Sequence, residues 1–311
     1  MCQQQIEAIA DQVGCRFVAG ILDTAAIGDI MRHRASRRLR GRAVVSSRLS
    51  MIFEFDRALV RAPGQRVVHG LSSQPGPRPL FAGIAREHAA YVNALEDCGL
   101  VVEVLPPLDD YPDSVFVEDP ALVLGDTAIL LRPGAQTRFG EVMEMEQVLP
   151  RRFARVLRMT AGFADGGDML FTPDGMLIGL SKRTNQLGAG ELAGLLQQLG
   201  IPSRIVKTPT DTLHLKSDCS LLDEDCVLCT ATLAASGLFD GYRKLIVPES
   251  EKRAANALRL NDIILAGEAF PLTIELLRHE GYTVRSLPVA DIGKLDAGLS
   301  CMSLRWKAGH P

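Results

Sequence analysis

One pattern recurs about every 40–50 residues from residue 80 onward, and it narrows the possible folds more than any other feature. Each pass begins with an amphipathic helix and a short apolar strand that often ends at proline. A polar turn follows, then two apolar strands joined by a tight bend. The first pass reads FAGIAREHAAYVNALEDCG, VVEVLPP, DDYPDSVFVED and ALVLGDTAILLRPG, bending at Gly125-Asp126. Later hairpins bend at Pro173-Asp174-Gly175, Asp223-Glu224-Asp225 and Asn261-Asp262. Short Leu, Ile and Val runs bounded by Asp, Asn and Gly read as buried strands. Glycines at the helix ends read as stops. One such unit leaves an apolar face uncovered, and stacked neighbours cover it. Five units around an axis give a single-domain, pseudosymmetric α/β propeller over residues 51–311. An open doubly wound sheet is the rival. It joins neighbouring parallel strands by helical crossovers, and the hairpins argue against it. The stretch MIFEFDRALVRAP, from Met51, reads as the start of the fold and the source of strands for the first unit.

The 311 residues are 47% hydrophobic and 23% charged, which suits a large buried core. No run of about eighteen apolar residues suggests a membrane span. Residues 1–50 hold eight Arg and four acidic residues, net +4, so the remainder carries −7. That N-terminal stretch reads as an unstructured extension or an over-long gene start. Its basic run RHRASRRLRGR lacks the interleaved aromatics and continuing basic face of a nucleic-acid arm. An acidic body suits a cationic small molecule. Seven scattered cysteines with no secretory leader point to reduced thiols in the cytoplasm.

Chemistry-bearing residues gather at one place in each repeat, just before the inner strand. Asp113, Glu118 and Asp119 stand there first, then Asp165 and Asp168, then His214, and last Cys301. In a ring, equivalent positions meet at the axis. Cys301, in LDAGLSCMSL, is the candidate nucleophile, because a thiolate attacks electron-poor carbon well. His214, in TLHLKSD, is placed for acid–base work. Asp165, in ADGGD, is placed to orient the imidazole. A zinc site at Cys226 and Cys229 is disfavoured: the segment reads as a strand, where residues three apart face opposite ways. No metal or cofactor is expected.

The motifs DSVFVEDP, DGGDMLF, GLSKRTNQ, LHLKS and GLSCMS resemble the dimethylarginine dimethylaminohydrolases of the guanidine-modifying superfamily, whose fold is a five-unit α/β (pentein-type) propeller. The resemblance runs from about Phe55 to about Leu304. It implies hydrolysis of methylated arginine to citrulline through a covalent thiouronium on Cys301. His214 would protonate the leaving amine and then activate water, with Asp165 in support. It further implies that Asp113, Glu118, Asp119 and Asp296 face the substrate's cationic part. Arg132 and Arg183 would clamp its α-carboxylate, with Leu71 on a flap loop and Leu295 giving a backbone contact beside the nucleophile. Arginine deiminases are the main alternative. They resemble the chain at GGD and CMS, but carry Arg within the FVEDP region and an acid at the place of Lys216. A non-catalytic amino-acid-binding protein would need the clamp and the acids, not Cys301 and His214. The protein is expected to act as a monomer or homodimer on a small molecule.

Overall fold

The computed structural model describes residues 52–73, 75–210 and 212–309. All lie within the compact unit Ser47–Pro311. The extension expected over residues 1–50 falls outside the described residues. Strand β1 (Arg57–Arg61) leads to helix α1 (Phe81–Asp97) and then to β2 (Val101–Leu105), which lies parallel to β1. The hairpin β3 (Ala121–Leu124) and β4 (Thr127–Leu130) is followed by α2 (Phe139–Val148). Strand β5 (Arg155–Arg158) then returns parallel to β4. The same order recurs as β6 (Met169–Thr172), β7 (Gly175–Leu180), α3 (Gln186–Gln198) and β8 (Ser203–Lys207). It recurs again as β9 (Cys219–Asp223), β10 (Cys226–Cys229), α4 (Ala231–Ala235) and β11 (Arg243–Ile246). A last copy is β12 (Leu258–Leu260), β13 (Ile263–Gly267), α5 (Pro271–His279) and β14 (Thr283–Leu287). Strand β15 (Leu304–Trp306) then pairs antiparallel with β1, Leu304 opposite Leu59.

The result is the five-unit propeller, with the repeat in a different phase from the sequence parse. Each helix and its following strand complete the preceding hairpin, not the next one. MIFEFDRALVRAP supplies one strand of the first sheet, β1, and the C-terminal β15 supplies its antiparallel partner. Each sheet therefore holds one hairpin-like pair and one parallel pair joined through a helix.

The apolar core is divided into five wedges, one between each pair of neighbouring sheets. Leu59 and Leu304 meet Ala128 and Leu130; Ile129 and Leu131 meet Met169 and Ile178; Leu170 and Val206 meet Leu221 and Val227. Leu222 and Leu228 meet Ile264 and Ala266, and Leu260 and Leu265 meet Ala58 and Val60. The fifth wedge joins the last sheet to the first and closes the ring. Each buried Leu, Ile or Val in a wedge contributes roughly 1.5–3 kcal/mol relative to exposure. On β10, Cys226 enters one wedge and Cys229 the next, so this C-x-x-C does not converge on one ligand.

Local signals explain the elements. Gly99, Gly200 and Gly281, each just past a helix, have φ of 89°, 70° and 89°, where a side chain is strained. Asn185 caps α3 by accepting the Gly188 N–H at 2.9 Å. Asn261, at φ 52°, also uses its side chain at the β12–β13 bend. It accepts from Phe55 N at 2.9 Å and donates to Cys98 O at 3.0 Å, pinning the last hairpin to the first sheet. The inner strands surround an axial cavity of about 150 Å³. Ile52, Phe53, Phe55 and Arg259 border it, as do Glu118, Gly166, Lys216 and Ser300.

Candidate active site

Every inner strand begins at the same end of the ring. The segments that enter β3, β6, β9 and β15 carry Asp113–Asp119, Asp165–Asp168, His214 and Asp296–Cys301. His214 is buried, its side chain 10% exposed, and its Nε2 lies 3.0 Å from Asp165 Oδ2. The other Asp165 oxygen accepts the Gly134 N–H at 2.6 Å. The two glycines of ADGGD are there for space. A Cβ on Gly167 would stand 2.6 Å from His214 Nδ1, and one on Gly166 would strike the Glu118 carbonyl. Asp168 is fully buried. It accepts from Leu215 N at 2.9 Å, and from the Ser181 and Thr184 hydroxyls at 2.6 Å each, fixing the backbone next to His214.

Burial opposes a charge on His214, but Asp119, then Asp165 and Asp168, outweigh it and hold the pKa at about 9. The imidazole is therefore cationic at neutral pH. Cys301 sits in a short 3-10 turn, Leu299–Met302, directly before β15. It keeps part of its surface exposed, yet burial of the thiol, with the charges of Glu118 and Asp119, pushes its pKa up to about 12. Its carbonyl accepts the Glu118 N–H at 3.2 Å, which ties the nucleophile's turn to the acidic segment.

The acids expected to face a cation have partners of their own. Asp119 pairs with the buried Arg138 and accepts Gly167 N–H at 3.2 Å. Burial alone would raise Asp119, but Arg138 and His214 hold it below its ordinary value. Glu118 takes Lys216 Nζ at 2.6 Å and the Ser300 hydroxyl at 3.1 Å. Asp113 accepts Leu71 N–H at 2.9 Å, and burial raises its pKa. Asp296, at φ 58°, accepts the Ser73 N–H, while Ser72 donates to Lys294 O at 2.7 Å. The loop around Leu71 is thus stapled to both Asp113 and the Lys294–Asp296 segment. Leu295 reaches the same place: a Cβ on Gly70 would lie 3.4 Å from its Cδ1. Arg183 Nη1 is 4.0 Å from Asp165 Oδ2. Arg132 Nε donates to Gly162 O at 2.9 Å, and its backbone pairs with Ala164, next to Asp165.

Donor atoms of Asp119, Asp165 and His214 lie within 4.8 Å of one another. Asp119 of this trio is already paired with Arg138.

Arg138, Glu141 and Asn256 of this network went unread in the sequence. Arg138 holds Asp119, Glu141 (2.9 and 2.7 Å) and the carbonyls of Asp113 and Phe116. Burial raises Glu141 to about 7 against that pull. Asn256 donates to Lys216 O at 2.8 Å and accepts Ser300 N–H at 3.1 Å. It stands just before β12, at the same repeat position as the others, and the repeat applied to that unit would have found it. Lys216 had figured only as a departure from the deiminases.

The arginine deiminase family model matches residues 102–255. The chain is 34% identical over 254 residues to the N(G),N(G)-dimethylarginine dimethylaminohydrolase of Pseudomonas aeruginosa, covering 81% of this chain and 100% of that one. It is 34% identical to the Streptomyces coelicolor enzyme of the same name, covering 80% of this chain and 96% of the relative. A crystal structure of the P. aeruginosa protein, a cysteine-to-serine mutant complexed with citrulline, superposes with a TM-score of 0.79 at 34% identity. It covers 82% of this chain and 100% of that one.

Proposed function

We infer the activity from a chain that belongs to the dimethylarginine dimethylaminohydrolase family: it hydrolyses asymmetric dimethylarginine, or monomethylarginine, to citrulline and dimethylamine or methylamine. It is a hydrolase of amidine C–N bonds. The observation that carries the mechanism is the buried Asp165–His214 pair, 3.0 Å apart, at the end of the ring where the Cys301 turn enters β15.

The thiol at rest is neutral, held so by burial and by Glu118 and Asp119. A bound guanidinium brings positive charge against those acids, lowers the thiol pKa and releases its proton to solvent. Cys301 Sγ then bonds to the guanidinium carbon. The His214 imidazolium gives its proton to the substituted nitrogen, the C–N bond breaks, and dimethylamine leaves a thiouronium on Cys301. Neutral His214 next takes a proton from water, whose oxygen bonds to the same carbon. The C–S bond breaks, the sulfur takes up the proton that the new hydroxyl gives up as it becomes the ureido carbonyl, and citrulline departs with Cys301 again a thiol. Cys301, His214 and one water account for every bond made and broken, with no cofactor drawn on.

On this reading Asp113, Glu118, Asp119 and Asp296 are the carboxylates that face the cationic part of the substrate. Arg132 and Arg183 are suited to the α-carboxylate, because guanidinium matches carboxylate with paired donors. On this reading Leu71 belongs to a flap loop over the substrate, and Leu295 offers a backbone contact beside Cys301. Among the described residues no helix is long and apolar enough to cross a membrane. Five cysteines there are free, which fits work in the reducing cytoplasm. A monomer or homodimer acting on a small molecule, without nucleic acid, completes the reading.

The test is to quantify citrulline and the released amine from asymmetric dimethylarginine and from arginine. Dimethylamine from the first is the expected main product. Ammonia from arginine as the dominant activity overturns the assignment in favour of a deiminase.

A further inference from the structure

We propose that Asn256 is a positioning residue that keeps the Cys301 turn in register with His214, an inference that rests on those two acting together in the proposed reaction. Five segments enter the inner strands β3, β6, β9, β12 and β15, and four of them carry the acids, His214 or Cys301. The fifth, entering β12, carries Asn256 just before Leu258. Its carboxamide spans two of the other segments. Nδ2 donates to Lys216 O at 2.8 Å, in the turn that follows His214, and to Ser300 Oγ at 3.2 Å. Oδ1 accepts the N–H of Ser300, the residue before Cys301, at 3.1 Å. Only this orientation of the amide suits both neighbours, since a reversed group would set N–H against N–H and oxygen against oxygen.

The contacts close into a circuit. Ser300 Oγ donates to Glu118 Oε2 at 3.1 Å, Lys216 Nζ reaches Glu118 Oε1 at 2.6 Å, and the Lys216 carbonyl returns to Asn256. The Glu118 N–H donates to Cys301 O at 3.2 Å. Ser300 and Glu118 are buried, so water does not replace these bonds when one is lost. Asn256 is itself anchored, because the Ser220 hydroxyl on β9 donates to the neighbouring Ala255 O at 2.9 Å. Gly298, ahead of Cys301 in the same segment, leaves room for the carboxamide: a Cβ there would stand 2.3 Å from Asn256 Cγ. An ionised Asp at this place could not donate to Lys216 O, so the pattern asks for an amide. The His214 turn enters β9 and the Cys301 turn enters β15, and these strands belong to different sheets. Side chains rather than a shared ladder must set the spacing between the two turns. A shift of about 1 Å there is enough to impair proton transfer to the leaving nitrogen.

The experiment compares wild type, Asn256→Ala, Ser300→Ala and the double variant on two substrates. Dimethylarginine expels an amine, which needs a proton from His214. Its S-methyl isothiourea analogue expels a thiolate, which leaves without one. The ratio kcat/KM reports the steps up to release of the leaving group. In Asn256→Ala it should fall about 10- to 100-fold for dimethylarginine and less than about threefold for the isothiourea. Ser300→Ala should show the same split at about three- to tenfold. The double variant should lose no more than about twice what Asn256→Ala loses, because both residues belong to one circuit. An equal loss on both substrates, which a merely structural role would give, overturns the proposal, as do multiplicative losses in the double variant. If Asn256→Ala does not fold, Ser300→Ala decides alone, and a wild-type ratio between the two substrates overturns it. Dimethylamine release by wild type reports separately on the activity itself, so an absent split in an active enzyme counts against Asn256 and not against the reaction.

Discussion

At one end of the ring, four hairpins close through short turns whose tips, Asp126, Asp174, Glu224, Asp225 and Asp262, are exposed. At the other end, the segments entering the inner strands bury Asp113, Glu118, Asp119, Asp165, Asp168 and His214. The same strands serve both ends. The tips are polar because water satisfies them, and many residues suit that task. The buried end holds charge away from water, so each charge needs a partner. Asp119 has Arg138, Glu118 has Lys216, and Asp168 has two hydroxyls and an N–H. The repeat supplies a scaffold whose two rims differ in what a substitution costs.

The sharpest break in this contrast comes from the nucleophile. Cys301→Ala should abolish turnover while leaving the melting temperature nearly unchanged, since the residue is only partly buried; wild-type-like citrulline release from this variant removes it from the mechanism. Next, His214→Ala should lower kcat by about 10²–10⁴, the usual worth of a positioned acid–base group. A loss under tenfold, read at substrate saturation, would assign proton transfer elsewhere. Arg138→Met strands Asp119 and Glu141 without their counter-charge, and should cost about 3–5 kcal/mol in denaturant unfolding. An unchanged midpoint would mean that those acids find other partners.

Protonation gives a smaller effect. The folded pKa of His214, about 9, stands above its ordinary 6.5. Its charge thus stabilises the fold fully below about 6.5, and the contribution is lost as pH rises through about 9. The melting temperature should fall between pH 7 and pH 10 more in wild type than in His214→Gln; parallel curves would discount the shift. At the opposite rim, Glu224→Ala should change stability by no more than about 0.5 kcal/mol and leave kcat/KM untouched. A catalytic defect there would erase the distinction between the rims.

Much of this contrast is legible in the chain. The bends at Gly125, Gly175 and Asn261 announce themselves because positive φ restricts the residue type. Asp165, His214 and Cys301 are recoverable because the repeat gives them equivalent places. Arg138 is not, since an arginine beginning a helix in QTRFGE reads as surface until the fold buries it to 4% exposure. The pairing of Lys216 with Glu118 depends on two loops 98 positions apart meeting at the axis. The make-up of the first sheet is hidden for a related reason, because hydrophobic pattern reports which residues form a strand and not which distant strand it joins.

That first sheet has a bearing on when activity can arise. Its strands come from opposite ends of the folded region, with Arg57 aligned to Trp306, and Cys301 lies three residues before β15. During synthesis Asp113, Glu118, Asp119, Asp165 and His214 emerge first, while the sulfur arrives with the segment that seals the ring. On the proposed mechanism, a nascent chain that stops before the Leu299–Met302 turn holds an acid–base pair without a nucleophile, so catalytic competence waits for the segment that seals the ring.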